Sequence, residues 1–349
     1  MHNFFENLTN WHHMVMNTDR VPEIIMVIVV CAIIGMITGP LLGNANPLYW
    51  NVFGAIFGGL GDKLDRKSRP YADLMFRGLI LTVFILGLSA VASWLFRESI
   101  AAYPYNEIVR TVLLCTLVTG GSVWFVLLKL YFSMDKGKTD EKDRDPKGLY
   151  ALAKTTGYSV DGLDNFGLTR VAMGLSARIF DKGMVAPLTW YLIGGFPAAC
   201  IYAGLAMMAW RFGKNGLGTG FAAVPLALER LMGFIPSIMA AVFITLAAVA
   251  TPTAKMHKGV MAWFGHKNRA PYDQGGFPLS AMAWALDVSL GGAVKDNRGS
   301  PLKGEWVGPE GATAQLNYKH LRRAIFINVI AHFLFIAAML GVYMWDSIL

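Results

Sequence analysis

Five windows of about twenty residues, nearly free of charge, leave few folds open to this chain: Ile24 to Leu42, Gly78 to Phe96, Val112 to Phe132, Leu231 to Ala254 and Ala324 to Trp345. A hydrocarbon core of about 30 Å is crossed by roughly 20 residues of helix, so each window predicts a membrane span. A sixth window, Met184 to Trp210, is interrupted at mid-span by Gly194-Gly195-Phe196-Pro197. Such a break is tolerated only where neighbours satisfy the freed carbonyls, which predicts that this segment faces protein. Pro47 to Leu60 is too short to span and too apolar for a free loop, and reads as re-entrant or interfacial. The predicted fold is all-α: a polytopic membrane helix bundle of about six spans, with one broken helix and one re-entrant segment. Composition agrees, since 54% hydrophobic residues, 15% charged residues and a mean hydropathy of +0.44 exclude an ordinary soluble domain and a disordered chain.

Lysines and arginines alternate between the connections: five in 63–77, two in 97–110, seven in 133–170, three in 211–230 and ten in 255–323. The positive-inside rule then predicts that 63–77, 133–170 and 255–323 are cytoplasmic and that both termini lie outside, in a bacterial inner membrane. The first span is too long for a signal core and is expected to remain as an anchor. The chain divides accordingly into an N-terminal membrane part (1–132), a cytoplasmic loop (133–183), the broken helix with the fifth span (184–254), a second cytoplasmic loop (255–323) and a final span (324–349). The net charge of +8 follows from this loop bias rather than from a basic stripe on a soluble domain, so nucleic acid is not an expected partner. The lipid bilayer is.

Most local motifs carry little chemistry. Lys136-Gly137-Lys138-Thr139 lacks the earlier glycine and the strand of a phosphate-binding loop. Gly216 to Gly220 has the wrong spacing for a dinucleotide fingerprint and reads as a flexible loop, and the alternating charges of Asp135 to Lys147 read as a solvated linker. Cys31, Cys115 and Cys200 lie in apolar stretches and read as core residues, and no metal site is expected of them. Gly35-x-x-x-Gly39 and Gly54-x-x-x-Gly58 permit close helix approach, chiefly for packing and secondarily for oligomerisation. His332 lies deep in the last window, one helical turn after Asn328. An ionisable group at that depth is a candidate site: a ligand to haem or another pigment, against the plainer reading of a histidine hydrogen-bonded to another helix.

Two longer stretches carry a resemblance. The first holds Leu163-Asp164, Arg170, Gly183-Met184-Val185-Ala186-Pro187-Leu188-Thr189-Trp190-Tyr191, Gly194-Gly195-Phe196-Pro197 and Tyr202. The second holds Gly276-Phe277-Pro278, Ala281-Met282-Ala283, Ala285-Leu286, Val288 and Leu290-Gly291-Gly292. In order and spacing they resemble the CobD/CbiB family of cobalamin biosynthesis, integral membrane proteins acting at the synthesis of adenosylcobinamide or its phosphate. Weaker echoes occur at Leu41-Leu42-Gly43 with Pro47 and at Phe234-Ile235-Pro236. The resemblance implies an amide-forming ligase that joins an adenosylcorrinoid carboxylate to aminopropanol or its phosphate, with ATP and Mg²⁺. Asp164, Arg170 and Asp181 would be its catalytic residues here.

The departures from the family pattern fall on one chemical class. Gly174, Arg178-Ile179, Lys182, Ala206, Ala209, Gly233, Ile238 and Leu279 stand where the family carries acidic, amide or basic side chains. A nucleotide-driven ligase must hold a divalent cation, which takes carboxylate oxygens. A lysine or arginine in such a place repels the ion by about 4 kcal/mol for unit charges 4 Å apart at an effective dielectric of 20. Asp161, Asp164, Asp181, Asp273, Asp287 and Asp296 are the acids left as substitutes. Arg170, Arg178 and Lys182 recur at spacings of eight and four, and on a helix they would form a basic face near the cytosolic surface, suited to lipid headgroups or to an anionic substrate. The pattern favours a non-catalytic derivative serving as a subunit or assembly partner in a membrane complex, with corrinoid binding still open. The active ligase is the alternative. A transporter ranks last, for want of paired acids in the spans and of an inverted repeat.

Overall fold

The computed structural model describes residues 17–66, 68–101, 105–135, 145–264, 268–297 and 299–348. Lys136-Gly137-Lys138-Thr139 and most of the charged run after Asp135 lie outside them. Twelve α-helices organise the described residues: α1 Val21–Leu42, α2 Leu48–Leu64, α3 Tyr71–Ala101, α4 Asn106–Leu117, α5 Gly121–Asp135, α6 Pro146–Thr156, α7 Asn165–Phe180, α8 Ala186–Phe212, α9 Ala223–Ala247, α10 Met256–Phe264, α11 Gly276–Leu286 and α12 Tyr318–Ile348. Five helical runs are long and apolar enough to cross a membrane, or six if α4 and α5 form one bent span. Their outer faces are greasy. Ile33, Ile37 and Leu41 on α1, Val83 and Phe84 on α3, Leu231 and Ile235 on α9 and Phe333 on α12 are all exposed, as a lipid-facing surface requires.

Strand structure is confined to short pairs. β1 Tyr158–Ser159, β3 Val294–Asp296 and β4 Pro301–Leu302 form one antiparallel sheet, and β2 Leu290–Gly291 pairs with β5 Trp306–Val307. The pairing of β1 with β3 ties the 255–323 segment to the link between α6 and α7.

Close helix packing follows from small residues. A side chain on Gly35 would strike the backbone of Gly121 and Ser122, and one on Gly121 would strike the carbonyl of Ala32, so α1 and α5 touch backbone to backbone. The Gly35 and Gly39 pair therefore serves intramolecular packing. Gly58 faces the Arg211 guanidinium, which meets Asp62 at 3.0 Å. The segment read as re-entrant is a continuous helix, α2, with Trp50, Gly58 and Gly61 buried.

The broken window departs from its expected geometry. α7, a π-helical turn at Asp181–Val185 and α8 follow one another without a gap, in a run more than twice as long as a bilayer core requires. Gly195, with φ 68° and ψ −163°, breaks it, and the chain doubles back there. Two contacts record the reversal. Lys182, before the break, and Tyr202, after it, both reach Glu229, and the Arg178 guanidinium lies 4.5 Å from the Trp210 ring. Arg20 caps the turn, its Nη1 donating to the carbonyls of Tyr191 and Leu192 at 3.1 and 3.2 Å, so the freed carbonyls face protein as expected.

This reversal corrects the topology read from the loops. Segment 211–230 was placed across the membrane from 63–77 and 133–170. Instead, Arg211 pairs with Asp62, the Tyr71 hydroxyl donates to Leu217 O at 3.2 Å, Lys214 Nζ to Gly157 O at 2.5 Å, and Trp210 Nε1 to Thr155 O at 2.9 Å. All three segments meet at one end because the chain doubles back at Gly195. The third window is also bent, by 42° at residues 118–120, between α4 and α5. There Thr119 N–H donates to Gly183 O at 2.9 Å and its hydroxyl to Ala45 O at 2.8 Å.

Asp287, in the left-handed region at φ 58°, closes α11 and accepts from Lys255 at 2.9 Å and Lys258 at 2.6 Å. Those two lysines hold its carboxyl below the usual carboxylate range. A depressed value means its contribution is complete above the ordinary carboxylate pKa and is lost as pH falls through the lowered one. Asp287→Asn, which tolerates the same backbone, is therefore expected to melt below the unaltered protein at neutral pH and to converge with it in acid. Thermal unfolding across pH checks this.

Candidate functional site

The loop end of the bundle holds a cavity of about 870 Å³. α2, the start of α3, the ends of α6 and α8, and the 213–219 turn enclose it. Trp50 and Trp210, with ring centroids 5.4 Å apart, line its inner part, and Asp62, Lys154, Arg211 and Lys214 are among its charged residues. Buried Trp50 Nε1 makes no hydrogen bond, nor does Asn46 Oδ1 in the same lining. A space of this size accommodates a sizeable organic ligand.

Deeper in the bundle, the π-helical turn and α9 bring together a polar cluster. Lys182 Nζ donates to both carboxylate oxygens of Glu229 at 2.8 Å, with side-chain exposures of 5% and 0%. Tyr272 and Tyr202 hydroxyls donate to Glu229 Oε1 at 2.9 and 3.2 Å, and the ammonium lies 4.4 Å from the Tyr272 ring centroid. Burial, reinforced by the Glu229 charge, pushes the Tyr272 phenol well up, which keeps it a donor. Asp181 is buried next door, its Oδ1 without a hydrogen-bond partner. The extra residue of a π-turn re-aims side chains, which is how consecutive Asp181 and Lys182 are both buried on an interior helix.

The expected site residues fall into separate groups rather than one site. Asp164 is the exposed N-cap of α7, accepting from Gly167 N–H at 2.6 Å. Arg170 donates to Ala314 O at 2.9 Å and lies over the Trp306 ring. Asp164 and Arg170 lie together around Gly167, whose added carbon would meet Asp164 Oδ1 at 3.0 Å and Arg170 Nη2 at 3.5 Å, whereas Asp181 belongs to the buried cluster. Arg178 and Lys182 are 8% and 4% exposed, and their charges face the interior rather than lipid headgroups. His332 is buried, its Nδ1 2.7 Å from Asn328 O and its ring packed against Trp124 and Phe180 at centroid distances of 5.0 and 4.9 Å. It does not line the large cavity. Asn328, expected on the same face, bonds Trp124 Nε1 and Ser176 O.

Glu229 is the residue that the charge-free windows missed, because the span was started two residues later, at Leu231. Its signal was an acid one helical turn before Gly233, whose missing side chain leaves room for the Tyr272 hydroxyl and the Glu229 carboxylate. Several departures from the family pattern meet in this region: Gly233 beside Glu229, Lys182 upon it, and Gly174, Arg178 and Leu279 around the adjoining small pocket. The family model described as CobD/Cbib protein matches residues 8–328. The chain belongs to this family. Among curated members, the cobalamin biosynthesis protein CobD of a Sinorhizobium species is 24% identical over 249 residues, covering 69% of this chain and 73% of the relative. The CobD of Geobacter metallireducens is 26% identical over 238 residues, covering 65% and 72%. That of Brucella anthropi is 27% identical over 219 residues, covering 62% and 63%. No solved structure matches the chain.

A divalent cation does not fit the buried cluster. Both Glu229 oxygens are already engaged by an ammonium at 2.8 Å, so a metal would have to displace Lys182 against its positive charge. Among the described residues no three His, Cys, Asp or Glu side chains are grouped to hold a metal ion. No reaction step through Mg²⁺ or ATP is derived from this arrangement.

Proposed function

We propose that this CobD/Cbib-family membrane protein serves cobalamin biosynthesis as a non-catalytic member, a subunit or assembly partner of a larger membrane complex. The observation that carries this is the Lys182–Glu229 pair: the interior that an ATP-driven ligase would need for a metal is closed by the protein's own cation. In this reading the setting is a bacterial inner membrane, with the end formed by 62–71, 154–157 and 211–219 on the cytoplasmic side, and the lysines and arginines of that end support it. Two assays separate the readings. Purification in mild detergent with mass analysis is expected to recover stoichiometric foreign subunits, and expression in a strain lacking its own synthase is expected to leave cobinamide amidation unrestored. Restored amidation would overturn the proposal.

One observation favours a second reading, the adenosylcobinamide-phosphate synthase. The cavity of about 870 Å³ mixes aromatic rings with acids and bases, as a site for a corrinoid edge would. In that reading Asp164 and Arg170 act together at the start of α7 and Asp181 acts from the buried cluster.

A further inference from the structure

α9 opens on apolar turns. Ala223 to Leu228 carry no polar side chain, and Leu228, Leu231, Phe234 and Ile235 are all exposed along its outer side, as a helix facing lipid requires. Arg230 is exposed in the middle of them, seven residues and so about 10 Å along the helix from its start. A cation set among lipid-facing leucines is costly unless its long stem carries the charged head back to water or to an anion at the interface.

Among the described residues no carboxylate pairs with Arg230. The adjacent acid cannot serve, since Glu229 points inward and both its oxygens are taken by Lys182 at 2.8 Å. What the Arg230 guanidinium does meet is the Tyr272 ring, with its centroid 5.8 Å away, and the Lys182 ammonium lies against the same ring at 4.4 Å. One aromatic ring therefore carries two cations, of which only the inner one is neutralised. One turn further along α9, and on the same face as Arg230, Phe234 packs edge-on against Phe277 of α11 with centroids 6.1 Å apart. The 213–219 turn leads into the start of α9, so the cation lies nearer that end of the bundle and the ring pair lies deeper.

We propose that this face binds one acidic phospholipid, its phosphate on the Arg230 guanidinium beside Tyr272 and the upper part of an acyl chain against Phe234 and Phe277. The order of the residues, charge outside and rings inside, is the order of the lipid's own parts. An arginine fork suits a phosphate, and a net negative headgroup balances the one charge here that the interior leaves unbalanced, which a zwitterionic headgroup does not. The lipid would hold the 272–277 turn to α9 from outside, as the Tyr272 hydroxyl holds it from inside through Glu229 at 2.9 Å. Nothing in this site depends on whether the chain catalyses or joins a complex, so its failure and that of the proposed function are separable.

The test places the full chain in nanodiscs of phosphatidylcholine alone and of phosphatidylcholine with a rising share of phosphatidylglycerol. Phosphatidylglycerol is expected to raise the unfolding temperature, and native mass spectrometry is expected to find one such lipid retained on the released protein. Arg230→Gln is expected to raise the phosphatidylglycerol share needed for half the effect by about fivefold, the worth of one cation at an acidic lipid surface, and to lose the retained lipid. Arg230→Lys is expected to keep most of both. Lys295→Gln, which removes the same charge from an exposed position on β3, is expected to change neither. In phosphatidylcholine alone Arg230→Gln is expected to be at least as stable as the unaltered protein, since a charge facing lipid is gone, so misfolding does not mimic the result. Phe234→Ala, with every charge in place, is expected to weaken retention. Equal stabilisation by the two lipids, or equal losses in Arg230→Gln and Lys295→Gln, would overturn the proposal.

Discussion

Lys182→Met is expected to lower stability by about 3–5 kcal/mol, among the largest effects of any single substitution in the chain, because it strands the Glu229 carboxylate in an interior with no exposure. Glu229→Leu should cost a similar amount by stranding the ammonium. The double variant, Lys182→Met with Glu229→Leu, removes both charges and fills their space with apolar atoms. It should recover most of the loss, since a buried pair is often replaceable by packing while half a pair is not. Thermal unfolding in detergent, followed by tryptophan fluorescence, measures all three. Losses that simply added in the double variant would mean that the two residues do not act as a pair, and the closed-centre reading would fall with it.

Gly195→Ala should be the second large effect. Its combination of φ 68° and ψ −163° belongs to a region that is essentially glycine's alone, and occupying it with a side chain costs about 1–3 kcal/mol. The added methyl would also press on the Arg20 guanidinium at 3.2 Å, displacing the group that caps the turn. Gly59→Ala is the natural comparison, since nothing lies within 4 Å of its added carbon and its helix gains propensity by about 1 kcal/mol. The expected pattern is a fall in folded, monodisperse protein for the first and none for the second. Equal yields would show that the reversal at Gly195 tolerates a side chain.

Much of the bundle was legible because a membrane imposes length and apolarity on each span, and both are properties of composition. The family was legible too, through motifs such as Ala186-Pro187-Leu188 and Leu290-Gly291-Gly292. What composition does not carry is direction. Gly194 to Pro197 announced a break, yet a kinked passage and a full reversal place the same residues in the same order. Only the partners on either side of Gly195 separate them. The second break was written as Gly120-Gly121 in mid-window and was passed over because the apolar count stayed high across it. The buried cluster was half visible: Asp181 and Lys182 were noted, but Glu229 sat two residues outside a window defined by the absence of charge. A criterion built to exclude charge will miss the charge that a span has neutralised.

The contact between Thr119 and Gly183 joins two irregularities, a ruptured helix and an underwound one, in a medium with no solvent to soothe either. Each supplies what the other is short of. Straightening one alone would leave its companion with an orphaned amide or carbonyl in oil, so the two defects are bound to persist or vanish as a couple. The same joint seats Asp181 and Lys182, which makes the bend at 118–120 a structural precondition for the chemistry of a helix distant in the chain.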